Sequence, residues 1–151
     1  MSISFSMSHH FNGTPEEVFE AMTDPNQFKH WMQNFVRSGV ESPDGQFGVG
    51  TRISETRKYL GKEATEVFEI THYDPPRAIS LHVDSCRGST YDFDHRFEPD
   101  GDGTRMVMDA RIEGGGCMTK LLGKPMCGMF KKAIRKDFEA LDEYIRSKQP
   151  A

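Results

Sequence analysis

The feature that most limits what this chain can become is a one-sided helical pattern near its C-terminal end. From about Met118 to Lys148 the apolar residues fall at steps of three and four: Met126, Met129, Phe130, Ala133, Ile134, Phe138, Leu141, Tyr144 and Ile145. That spacing puts them on one face of a helix. Pro125 suits a first-turn position, where a missing N–H is no loss. From there to Lys148 the predicted helix runs roughly 35 Å, at about 1.5 Å per residue. A long helix that is apolar on one side needs a broad apolar surface to lie against. The rest of the chain must supply it.

Most of that remainder reads as strands. Ile3, Phe5, Met7 and His9 alternate with Ser2, Ser4, Ser6 and Ser8, the period-two pattern of a strand with one wet face. Asn12-Gly13 ends it. Thr14-Pro15-Glu16-Glu17 then predicts a short helix, with Thr14 as cap, Pro15 in the first turn and Glu17 closing a capping box; Val18, Phe19 and Met22 form its apolar face. Asp24-Pro25-Asn26-Gln27 repeats the signal and opens a second short helix carrying Phe28, Trp31 and Met32. Strands follow over 34–42, 51–59 and 63–73, then around Ile79, Leu81 and Val83. Two more form around Tyr91, Phe93, His95 and Phe97, and around Met106, Met108, Ala110 and Ile112. Turns at Pro43-Asp44-Gly45, Gly61, Asp74-Pro75-Pro76 and Pro99–Gly103 separate them. Consecutive strands on short turns pair antiparallel. Gly114-Gly115-Gly116 is the expected hinge into the long helix.

These elements fit one α+β domain over 1–151: a curved antiparallel sheet of about seven strands wrapped on the C-terminal helix, with two short helices after the first strand. The composition allows this. The 151 residues are 36% hydrophobic and 28% charged, ordinary for a globular chain with a real core. No run of about 18 apolar residues offers a membrane-spanning helix, and MSISFSMSHHF has neither the basic region nor the apolar run of a signal peptide. The three cysteines, Cys86, Cys117 and Cys127, are an odd number without metal-ligand spacing. A reducing, cytoplasmic setting follows as the expectation. A net charge of −4 gives no reason to bind nucleic acid. No metal or cofactor is expected: His9-His10 and His72 lack ligand spacing, and neither a phosphate loop nor a nucleophile elbow is present.

The order of elements resembles the helix-grip fold of the START / polyketide cyclase (SRPBCC) superfamily. Three local patterns are similar as well. One runs from Thr14-Pro15-Glu16-Glu17-Val18-Phe19 to Thr23-Asp24-Pro25 and Trp31. A second is Tyr73-Asp74-Pro75-Pro76-Arg77, and the third is Phe97-Glu98-Pro99-Asp100-Gly101-Asp102-Gly103-Thr104. The resemblance covers essentially the whole chain and points to the polyketide cyclase/dehydrase and lipid-transport branch. It implies a cavity between sheet and long helix. It also implies one of two roles, since some members are enzymes and many bind or carry apolar ligands.

Alternation picks out the residues that would face such a cavity. On the strands these are Ile53, Tyr59, Phe68, Leu81, Tyr91, Phe93, Met106 and Met108; on the long helix they are Met129, Phe130 and Ile134. The nine methionines suit either an adaptable cavity or an ordinary core. His95 falls on the same face, between Phe93 and Phe97. It is either a core histidine satisfied by a hydroxyl or backbone group, or a ligand-binding or acid/base group. Glu55 and Arg57 share the face of Ile53, and Glu66 shares that of Phe68. Buried charges must be paired or bound. Arg57 therefore either pairs with Glu55 at the sheet rim, about 7 Å away at Cα, or meets a ligand carboxylate. Trp31 lies where the resemblance puts the pocket mouth, and it either plugs the grip or covers a ligand with its N–H as a handle.

The long helix carries Lys120, Lys124, Lys131, Lys132, Arg135 and Lys136 before its acids Asp137, Glu139, Asp142 and Glu143, the reverse of what the helix dipole favours. Either this is a solvated face, or the lysines contact an anionic partner such as a membrane surface beside Met118, Leu121 and Leu122.

The expected function is reversible binding of a lipid, polyketide, isoprenoid or aromatic in the grip, as carrier or sensor, by a monomer or weak homodimer. A cyclase, dehydratase or hydrolase is the alternative, with His95 and Glu55 or Glu66 moving protons and Arg57 or Tyr91 holding an oxyanion. The third is an interaction module, as in helix-grip proteins that regulate chaperones or toxin systems. An acid/base pair meeting at one centre would favour the enzyme.

Overall fold

The computed structural model describes residues 2–84, 88–114 and 124–149, with side chains from residue 128 onward in the last segment. The N-terminal alternation becomes β1 (Ser2–Phe11), which buries Phe5, Met7 and Phe11 and leaves its four serines exposed. Helix α1 (Pro15–Thr23) starts on the expected capping box: Glu17 N donates to Thr14 Oγ1 at 3.2 Å, and Thr14 N donates to Glu17 Oε1 at 3.4 Å. The second short helix is a 3₁₀ helix over Pro25–His30, capped by Asp24, which accepts from Asn26 N at 3.0 Å. Gln27 does not close a capping box there; its amide donates to the Asp24 side chain at 3.1 Å.

Six more strands follow: β2 (Phe35–Glu41), β3 (Arg52–Tyr59), β4 (Lys62–Asp74), β5 (Ala78–Asp84), β6 (Ser89–Asp100) and β7 (Gly103–Gly114). All neighbours are antiparallel, in the order β1-β7-β6-β5-β4-β3-β2. The chain thus meanders from β2 to β7 and returns to lay β7 beside β1.

Helix α2 (Lys124–Ser147) lies against the concave face. Pro125 stands in its first turn, and Phe138, Leu141 and Ile145 are buried at 5%, 0% and 2% exposure. Each such side chain contributes about 1.5–3 kcal/mol by leaving water. The C-terminal half of α2 thereby closes one end of the grip. Phe11 and Phe138 meet edge to face there at 6.2 Å, and Phe19 of α1 packs on Phe97 at 5.3 Å. A side chain at Gly13 would force Ile145 to shift, because a Cβ would stand 2.7 Å from Ile145 Cγ2.

Gly114 is the last residue of β7. The rest of the expected hinge, with Met118, Lys120, Leu121 and Leu122, lies outside the described residues, as do the side chains of Lys124 and Met126. No helix among the described residues is long and apolar enough to cross a membrane.

Candidate functional site

Where α2 lifts from the sheet, a cavity of about 380 Å³ remains between them. The pleat explains its floor. Ile53 pairs with Phe68, Val83 with Tyr91, Leu81 with Phe93, and Ile79 with His95, which pairs in turn with Met108. All of these side chains share the concave face, and all line the cavity. The roof is Phe130, Ala133, Ile134, Asp137 and Phe138 of α2, and the 3₁₀ end contributes Phe28, Trp31 and Met32. Tyr91 stacks between two rings, with Phe93 at 6.3 Å and Phe130 at 6.4 Å, so sheet and roof meet through aromatic contacts. Tyr59, Ala64 and Ala133 line the cavity and are also exposed, which puts the mouth between the β3–β4 hairpin and α2.

Two polar regions interrupt this apolar wall. Near the mouth, Arg57 Nε donates to Glu55 Oε1 at 2.8 Å and its Nη1 donates to Asp137 Oδ2 at 2.7 Å. The three side chains are only 16%, 12% and 13% exposed. Asp137 Oδ1 also accepts from the Gln33 backbone N–H at 3.0 Å. Burial pushes the Glu55 carboxyl above its ordinary pKa, and Arg57 pulls the other way. Burial also disfavours the Arg57 charge, but Glu55 and Asp137 overcome it and hold the guanidinium protonated. Glu66 lines the cavity directly across from Glu55.

The second polar region is His95, on the interior wall at 8% exposure. Burial pushes its pKa down to about 4, against an opposing pull from the Ile79 backbone, so the ring is neutral at physiological pH. Its Nδ1 makes no hydrogen bond among the described residues.

The two polar regions stand on well-separated parts of the sheet. From Glu55 the register crosses to Glu66, runs four residues to Ile70, crosses to Leu81, runs two to Ile79 and crosses to His95. That is three strands across and about 20 Å along the strand direction.

Twelve of the fourteen residues expected to face a ligand line this cavity: Trp31, Ile53, Arg57, Tyr59, Phe68, Leu81, Tyr91, Phe93, His95, Met108, Phe130 and Ile134, as do the two acids Glu55 and Glu66. Met106 does not. It pairs with Phe97 in the solid end under α1 and is fully buried at 0% exposure. Met129 turns away from the stripe formed by its neighbour Phe130 and is 71% exposed. Trp31 covers the cavity, but its Nε1–H is committed to the Ala21 carbonyl at 3.0 Å and is no handle for a ligand. The Arg57 ion pair is buried just inside the mouth rather than solvated at a rim, and it includes an acid that the strand pattern could not reveal. Asp137 was legible only as an acid at a helix position three residues after Ile134 and four before Leu141, both on the inward face.

The family model for polyketide cyclase / dehydrase and lipid transport matches residues 2–146. Among solved structures, that of Ara h 8.0201 superposes with a TM-score of 0.80 at 16% identity, covering 98% of this chain and 100% of that one. TTHA0849 from Thermus thermophilus gives 0.79 at 18%, covering 98% and 100%. The di-domain ARO/CYC StfQ from the steffimycin biosynthetic pathway gives 0.80 at 8%, covering 98% of this chain and 52% of that one. No curated protein sequence matches. With nearly its whole length matched and the seven-stranded sheet gripping its last helix, the chain belongs to the polyketide cyclase / dehydrase and lipid transport family.

Proposed function

We propose that the protein reversibly binds a compact apolar molecule, of the size of a few fused rings or a short isoprenoid, as carrier or sensor. The observation that carries this reading is the cavity itself, a space of about 380 Å³ walled by aromatic and aliphatic side chains between sheet and α2. That volume is near the small end of the roughly 300–1,000 Å³ typical of ligand pockets. Affinity then comes from buried apolar area, and the few polar groups orient the ligand. The separation of His95 from Glu55 and Glu66 supports binding over acid/base catalysis, because general acid and base must both reach one reacting centre.

Native mass spectrometry of the protein purified from its own host, with extraction of what it holds, tests this directly. A stoichiometric apolar compound is the expected result. An empty protein that is also not stabilised by any of a panel of lipids, isoprenoids and aromatic polyketides would remove the cavity as the seat of function.

Transient contact with an anionic membrane during loading belongs to the same reading. Lys132 is exposed and close in sequence to exposed Met129 and to Ala133 at the mouth. Lys131 is placed differently, with its ammonium 5.0 Å from the centre of the Phe5 ring. Co-sedimentation with phosphatidylserine vesicles should appear at low salt and fade at high salt; no binding at low salt removes this part of the proposal.

A further inference from the structure

We propose that the cavity selects against anions. Its ligands carry a neutral hydrogen-bonding group towards His95 and a neutral or cationic donor, an alcohol or an amine, towards Glu55 and Asp137. This rests on the binding reading above and adds the ligand's charge to it.

Two independent observations carry it. The first is the charge balance near the mouth. Arg57 is the one cation among the described residues that line the cavity, and it is already engaged by two carboxylates, at 2.8 Å and 2.7 Å. Two carboxyl groups share one guanidinium, so this cluster has no cation to spare for a ligand anion. A ligand carboxylate approaching Arg57 would stand beside Glu55 and Asp137 in a site with little water to screen the repulsion. An alcohol or ammonium there would instead donate to those same oxygens, in charge-assisted hydrogen bonds.

The second observation is His95. It is more than nine-tenths buried on the cavity wall, with Nδ1 unpartnered among the described residues. A neutral imidazole offers one donor and one acceptor but no charge. It can read a carbonyl or hydroxyl, and it gives an anion no countercharge. Neither polar region of the cavity therefore rewards a negative ligand.

The test uses the full chain and N-phenyl-1-naphthylamine, a neutral probe that fluoresces in apolar surroundings. Decylamine, 1-decanol and decanoate compete for it at pH 7.5, low salt and concentrations below micelle formation. The amine and the alcohol should displace the probe at concentrations at least tenfold lower than decanoate. Glu55→Gln should narrow that gap by threefold or more; Asp137→Asn is the second variant should the first fail to fold. Decanoate competing as well as decanol and decylamine would overturn the inference while leaving ligand binding intact, and so would a gap unchanged in both variants. Failure of the protein to take up the probe at all would count against the binding reading instead.

Discussion

His95 ties stability to pH through its burial. Its pKa is about 4 in the folded chain against 6.5 when exposed. Between those values the unfolded chain binds a proton that the folded chain refuses, so stability falls as pH drops from 6.5 towards 4. The full effect is about 3 kcal/mol, at about 1.4 kcal/mol per pKa unit. Glu55 has the opposite sign, since its raised carboxyl pKa favours the folded state as pH falls. The informative measurement is therefore a difference. Urea unfolding of wild type and His95→Phe across pH 4–7 should show the variant losing most of the acid-side slope, and an identical slope would mean that another group carries it. Arg57 makes a second prediction at this scale. Arg57→Met leaves Glu55 and Asp137 buried without countercharge and should cost about 3–5 kcal/mol at pH 7. Lowering the pH, or adding Asp137→Asn, should recover part of the loss, because each neutralises a carboxylate. His95, Glu55 and Arg57 were all readable from strand alternation, since the pleat sends every second side chain inward whatever its chemistry. What each inward residue meets was not readable. Asp137 lies 80 residues from Arg57 in sequence, and only the docking of α2 brings them together.

At the scale of elements, the β3–β4 hairpin carries a local conflict. Tyr59 pairs with Lys62, so Leu60 and Gly61 form a two-residue turn with φ of 50° and 80°. Such turns favour Asn-Gly, because a leucine Cβ crowds its own backbone at positive φ. Leu60 is also fully exposed and gains nothing from burial. Leu60→Asn should stabilise the protein by about 1 kcal/mol, a rise of about 2–4 °C in Tm for a chain of this size. A lower Tm would show that the exposed leucine contributes something that the fold does not reveal. Helix α2 resolves a different puzzle, its reversed charge order. Its later acids serve loop backbone: Asp137 accepts from Gln33 N–H at 3.0 Å and Asp142 accepts from Asn12 N–H at 2.8 Å. Each satisfies a donor next to the grip, and a hydrogen bond to a charged group is worth about 1.5–3 kcal/mol, more than the roughly 0.3–1 kcal/mol that a well-placed charge gains from the dipole. The strands, turns and caps were legible because they follow local rules of period and backbone geometry. The 3₁₀ character of Pro25–His30 was not, because an Asp-Pro start suits α- and 3₁₀-helix alike.

For the molecule as a whole, the grip is solid at one end and hollow at the other. Alternation and helical periodicity marked the two faces that meet, and so foretold the cavity's walls. They could not show where α2 leaves the sheet, which depends on packing volumes summed over the whole interior. That is why alternation puts Met106 and Met108 on one wall, yet Met106 lies in solid core while Met108, two residues on, lines the space. Among the described residues the cavity opens between Tyr59 and Ala64 on the hairpin and Ala133 on α2. A bulky residue at the entrance and one at depth should then act differently. Ala133→Trp places an indole at the mouth, where it hinders passage in both directions and touches little of a seated ligand. Association and dissociation of N-phenyl-1-naphthylamine should both slow by about tenfold in stopped flow, with Kd nearly unchanged; rates vary over about one to three decades among variants of one site. Leu81→Trp instead occupies the floor beside Phe93. It should weaken equilibrium binding and remove the ligand-induced rise in Tm, which for an unblocked site reaches about 2.7 kcal/mol of added stability at a hundredfold excess over Kd. If Ala133→Trp leaves the rates untouched, the ligand enters by another path.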